Sequence, residues 1–143
     1  MGVFQMAGLF DMLKQDHKEV TSMLEQAIES KDPSKFPKVK KMLDVHMEGE
    51  EKFFYPILRN KDKDGMLEAY EEHKVGKRLL KEICDTKSGN ETCIPKIKVL
   101  KDVLDHHIEE EESEIFDEAR EVLSDKQEQK IVQQIEELKS QKM

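Results

Sequence analysis

The sequence predicts an all-α fold: an up-down-up-down antiparallel four-helix bundle with a short additional C-terminal helix. Three observations lead there. Apolar residues recur at spacings of three and four through four long segments, the mark of helices with one buried face. Short polar connectors carrying Gly, Pro, Asn or Asp separate those segments. Charged residues make up 39% of the chain and hydrophobic ones 36%, with no Trp, which suits helices that show a wide solvated face and bury a narrower stripe. Disorder is the competing reading of so much charge, and the regular recurrence of apolar residues argues against it. With 143 residues the chain is expected to form one domain, with the bundle over about 8–123 and the last helix over about 125–141.

The first helix, roughly 8–30, aligns Leu9, Leu13, His17, Val20, Leu24 and Ile28. "SKDPSKFP" breaks it, and Pro33 and Pro37 are suited to opening the second. That helix runs to about residue 60 through Val39, Leu43, His46, Glu50, Phe53 and Ile57, with Pro56 expected to bend or stop its last turn. After "NKDKDG" the third helix puts Met66, Tyr70, His73, Lys77, Leu80 and Cys84 on one stripe. "DTKSGNET" turns the chain, Pro95 fits the first turn of the fourth helix, and its stripe reads Leu100, Leu104, His107, Glu111, Ile115 and Val122 with slight drift. Ser124 followed by Gln127 forms a capping pair for the fifth, whose apolar side is Ile131, Ile135 and Leu138.

The net charge of −8, without a basic patch interleaved with aromatics, makes nucleic acid an unexpected partner. No apolar run reaches the length of a membrane span. "MGVFQMAGLF" lacks a basic n-region, so no signal peptide is expected, and the simplest location is cytoplasmic. Cys84 and Cys93 are too few for a disulfide framework and read as free thiols.

The polar residues on the apolar stripes carry the chemistry. Each long helix places one histidine there, His17, His46, His73 and His107, and two add a glutamate one turn later, Glu50 and Glu111. Residues four apart stack on one helical face. A lone core histidine is ordinarily a hydrogen-bonded packing residue, and a glutamate in "EEEESE" is ordinarily solvated. Four imidazoles and two carboxylates in one small core are too costly to bury unpaired, whereas a bound cation satisfies them all. Mixed imidazole and carboxylate donors suit iron, manganese or zinc rather than a thiolate zinc site or an oxygen-only cage. Six donors exceed the needs of one tetrahedral ion and fit two ions bridged by the glutamates, with di-iron the leading reading. His106 shares its face with Glu110 and Ser113, so it is assigned to the surface or to a supporting place behind the ligands.

"DHKEV" at 16–20, "HMEGEEKFFYP" at 46–56, "YEEHK" at 70–74 and "HIEEEESEIFDEA" at 107–119 together resemble the hemerythrin-like, HHE cation-binding proteins. The resemblance covers about residues 9–120. It implies two non-heme irons joined by an oxo or hydroxo bridge, His17 and His46 on one, His73 and His107 on the other, with Glu50 and Glu111 bridging. It also implies an open coordination position for dioxygen or another small molecule. Two departures stand out. Where oxygen-carrying hemerythrins have a second histidine after the third-helix ligand, this chain has Lys77, a poor ligand, so one iron is expected to be more open. Tyr70 is read as a core tyrosine, with a ligand or hydrogen-bonding role as the alternative. Those carriers also space the last pair as HxxxxD, which leaves Glu112 as a second contender for the bridge.

The function expected is binding or sensing of dioxygen or a related small oxidant. The alternatives are a di-iron enzyme acting on peroxide or nitric oxide and, behind it, iron storage or delivery. Manganese or zinc could substitute for iron. The resemblance identifies no protein partner.

Overall fold

A computed structural model describes residues 8–143. The N-terminal segment 1–7, most of the stretch read for a leader, lies outside the described residues. Five helical rods and no strands make up the described residues. We label them α1 (Leu9–Ser30), α2 (36–58), α3 (Lys63–Cys84), α4 (93–122) and α5 (Asp125–Lys142).

Local signals explain most ends. Lys31 takes a left-handed conformation and donates back to Ala27 and Ile28, closing α1. Asp62 accepts the Gly65 N–H at the start of α3. Ser124 and Gln127 exchange both hydrogen bonds of a capping box, as the sequence led us to expect.

Rods α2 and α4 each contain a π-helical turn, Glu50–Phe54 and Glu111–Ile115. A π turn adds one residue without ending the helix and rotates everything beyond it. That rotation corrects the expected stripe of α2: Ile57 is exposed, Phe53 only half-buried, and Phe54, Tyr55 and Leu58 fill the interior instead. Pro56 falls in the first turn of the helix that restarts at Tyr55, where its missing N–H costs least, and the rod ends two residues later at Leu58. The drift along α4 has the same cause; Phe116 and Ala119 are buried while Val122 is exposed.

The seam of α3 also differs from expectation. It runs through Met66, Ala69, His73, Gly76, Leu80 and Ile83, so Tyr70 is only half-buried, and Lys77 and Cys84 point outward. Both cysteines are free.

Helix α1 packs on α2 and α4, and α3 packs on α4 and α2. The interior divides into two apolar clusters. One holds Leu13, Phe54, Tyr55, Met66 and Phe116, the other Val20, Leu43, Met47, Leu80 and Leu104. The histidines lie between them. Helix α5 covers α1 and α2 through Ile131, Val132, Ile135 and Leu138. Among the described residues no helix is long and apolar enough to cross a membrane.

Candidate metal centre

All six residues singled out from the sequence meet in the interior: His17, His46, His73 and His107 are buried and Glu50 and Glu111 are wholly so. The π turns start at the two glutamates, each one helical turn after its histidine. The six side chains form two groups, His17, His46, Glu50 and Glu111, and Glu50, His73, His107 and Glu111, with one donor atom from each residue lying within 4.8 Å of the others. The glutamates are common to both groups, and the division of histidines is the one the resemblance implied.

The imidazoles are oriented alike. Every Nε2 faces inward: His17 Nε2 lies 3.2 Å from Glu111 Oε1, His46 and His73 Nε2 lie 3.3 and 3.2 Å from Glu50 Oε1, and His107 Nε2 lies 3.3 Å from Glu111 Oε2. Every Nδ1 meets a carboxylate on the outer side: Glu112 for His17 at 2.8 Å, Asp16 for His46 at 2.9 Å, Glu51 for His73 at 2.7 Å and Glu72 for His107 at 2.8 Å. An Nδ1–H held by a carboxylate leaves the Nε2 lone pair aimed at the centre, the usual arrangement behind a metal-bound histidine. Glu112, the second contender for the bridge, thus supports His17 from outside. His106 is exposed and pairs with Glu110 at 3.0 Å.

Electrostatics follow from this packing. Burial alone would lower the imidazole values, but adjacent carboxylates win. Glu50 and Asp16 hold His46 well above its ordinary value, Glu50 and Glu51 raise His73, and Glu111, Glu50 and Glu72 raise His107 to about 9. Burial would raise Glu111, yet contacts with Glu50, His107 and His17 hold it well below the usual carboxylate range. In the metal-free chain, protons held more tightly on His46, His73 and His107 supply positive charge of the kind a cation would bring.

The donor set fits a metal by a second test. Glu50 Oε2 and Glu111 Oε1 are buried without a hydrogen bond; the latter has His17 Nε2 nearby but not in hydrogen-bonding alignment. Unsatisfied buried carboxylate oxygens are expensive unless a cation takes them.

Sequence reasoning missed Tyr55. Its hydroxyl donates a short hydrogen bond to Glu111, lies 3.2 Å from Glu50 Oε1 and is 3.3 Å from Nε2 of both His73 and His107. Burial and the two carboxylates push its phenol well above its ordinary value. In an uninterrupted α-helix a residue five after Glu50 points well away from the site. The π turn brings it back, and a glutamate-to-aromatic spacing of five in both blocks was the available signal. Tyr70 packs edge-on against Tyr55 at 5.6 Å and donates to the Glu51 carbonyl at 3.3 Å, so it braces the tyrosine that reaches the site. Lys77, expected beside one iron, stands outside with its ammonium 3.1 Å from Glu51.

The family model described as the hemerythrin HHE cation-binding domain matches residues 8–119. The chain belongs to the hemerythrin HHE cation-binding family. A curated relative of the HHE chain, named DNA nickase, from Nostoc sp. (strain PCC 7120 / SAG 25.82 / UTEX 2576), is 31% identical over 122 residues, covering 82% of this chain and 35% of that protein. The HHE chain therefore spans about a third of that relative's length. No solved structure matches it.

Proposed function

We propose that this HHE protein binds or senses dioxygen or a related small oxidant at a carboxylate-bridged di-iron site, carried on an up-down-up-down bundle of α1–α4. His17 and His46 would hold one ion, His73 and His107 the other, and Glu50 and Glu111 would bridge them. The observation that carries this reading is the convergence of four Nε2 atoms and two carboxylates, with unsatisfied oxygens, inside an apolar interior. Bound there, the ions would supply redox chemistry and an open coordination position.

A cavity of about 20 Å³ adjoins the four histidines, lined otherwise mainly by Val20, Leu43, Met47, Gly76, Val103, Leu104 and Ile108. Room for about one water-sized molecule suits a diatomic or peroxide better than an organic substrate. Tyr55 adds a hydroxyl that can hold a proton at the centre or pass it to a carboxylate oxygen. That hydroxyl favours a second reading, an enzyme reducing peroxide or nitric oxide, because such reductions consume protons. The relative's name brings DNA into view; the net charge of −8 and the outward carboxylates argue against a phosphate backbone as partner for this segment.

Anaerobic reconstitution with Fe(II), a metal count, and optical spectra on adding oxygen and, separately, peroxide test the proposal. Two irons per chain and a reversible oxygen-dependent band support binding or sensing. Rapid peroxide consumption moves the assignment to the enzyme, and a chain that takes up no iron overturns both.

A further inference from the structure

Helix α5 lies beyond the matched residues 8–119, yet it reaches the centre from outside. Lys139 Nζ lies 2.7 Å from Asp16 Oδ1, and the other oxygen of the same carboxylate accepts from His46 Nδ1 at 2.9 Å. Four residues earlier, Ile135 presses on Gly49, where even a Cβ would lie 3.3 Å from Ile135 Cγ1. Gly49 immediately precedes Glu50. Lys142 pairs with Glu48 at 2.8 Å, and Glu128 at the other end accepts the Leu9 N–H at 3.1 Å. One helix thus backs both metal-facing residues of the His46–Glu50 block, the histidine through an ion pair and the glutamate through backbone packing. No hydrogen bond or ion pair joins α5 to the His107–Glu111 block among the described residues.

We propose that Lys139 is a positioning residue for the metal centre: by fixing Asp16 behind His46, it ties the ion held by His17 and His46 to the docking of α5. Asp16 has two oxygens and two partners, so its orientation is determined only while both are present. Without Lys139 the carboxylate can turn toward solvent, and His46 loses the partner that orients its ring. The consequence is an asymmetric centre, in which one ion depends on a helix outside the family match. The counterpart on the other half is Lys77, which pairs with Glu51 behind His73 from within α3 itself.

This inference rests on the metal-binding reading above, and the experiment separates the two. The full chain is loaded with iron, and release to a chelator is followed in wild type, Lys139→Met, Lys139→Arg and Asp16→Asn, with Mössbauer spectra of each loaded protein. In Lys139→Met one ion per chain should leave about tenfold faster and the other at the wild-type rate; Asp16→Asn should show a loss of about 10–100-fold for the same ion. One of two iron signals should change, and Lys139→Arg should restore both rate and spectrum. Circular dichroism and a denaturant midpoint for each metal-free variant check the fold. Two irons in wild type with unchanged release in Lys139→Met, or equal acceleration of both ions, overturns the role of Lys139 alone. No iron in wild type overturns the metal-binding reading and this inference with it.

Discussion

Tyr55 and Phe116 occupy the same place in two copies of one block. Each follows a buried glutamate by five residues, each lies just beyond a π turn, and both are fully buried. Tyr55 leans on His73 with ring centres 5.4 Å apart, whereas Phe116 stacks nearly parallel to His17 at 6.4 Å. At this position the two halves of the centre differ by one hydroxyl. In Tyr55→Phe that hydroxyl is lost from Glu111 and Glu50, which should destabilise the metal-free protein by about 1–3 kcal/mol in chemical denaturation. The metal count should not change; a fall in bound iron would show that the phenol takes part in holding it.

Glu50 compensates His46 and His73 from a fully buried position. On the proposed two-ion reading, Glu50→Ala should lower metal content to one ion or none per chain. Removing one partner of a buried charge group costs about 3–5 kcal/mol, so the metal-free variant should also unfold earlier in denaturant. His46→Ala should show the same loss of metal. Unchanged iron in both variants would remove them from the site.

The histidines make the metal-free protein sensitive to alkali. His107 stands at about 9 in the folded chain, against an ordinary 6.5, so the folded state holds its proton more tightly. Its contribution is complete below about pH 6.5 and fades as pH rises through about 9, a difference on the order of 3 kcal/mol. Raised values for His46 and His73 act in the same direction, and the lowered Glu111 gives the opposite limb, stability lost as pH falls through its folded value. Denaturant midpoints at pH 6.5 and 9 should differ in the metal-free chain. A flat profile would contradict the charge distribution described for the site. Loading metal at neutral pH should release protons, measurable in weak buffer.

Gly76 opens the small cavity. A Cβ there would lie 3.9 Å from Met47 Sδ, an ordinary contact, so Gly76→Ala should stabilise α3 by about 0.5–1 kcal/mol. Gly76→Leu carries a side chain long enough to fill the space beside the histidines. It should keep two irons and slow the spectral change on adding oxygen; an unaltered rate would place the route of entry elsewhere.

Much of this was legible beforehand, and each failure has its own physical origin. His17, His46, His73, His107, Glu50 and Glu111 followed from a period of 3.6, because up to each glutamate the helices are regular. Beyond Glu50 the same period gave Phe53 and Ile57 inward and passed over Tyr55, since the π turn changes the count while leaving no residue that announces it. On α3 two phases were nearly equivalent, one through Tyr70 and Lys77 and one through Ala69 and Gly76. Small residues signal little in a hydrophobic pattern, so the seam that packs closest was the harder one to see. The carboxylates behind the histidines belong to charge-rich stretches whose sequence does not say which members turn inward.

Those outer carboxylates also fix the charge the centre calls for. Glu50 and Glu111 at the middle, with Asp16, Glu51, Glu72 and Glu112 behind the imidazoles, carry six negative charges when ionised, and Lys77 and Lys139 return two positive ones. Four negative charges are left over around neutral imidazoles. In the two-ion site proposed above, a pair of divalent cations would balance those four charges, so the surroundings of the ligands, and not the ligands alone, would favour two doubly charged guests over one.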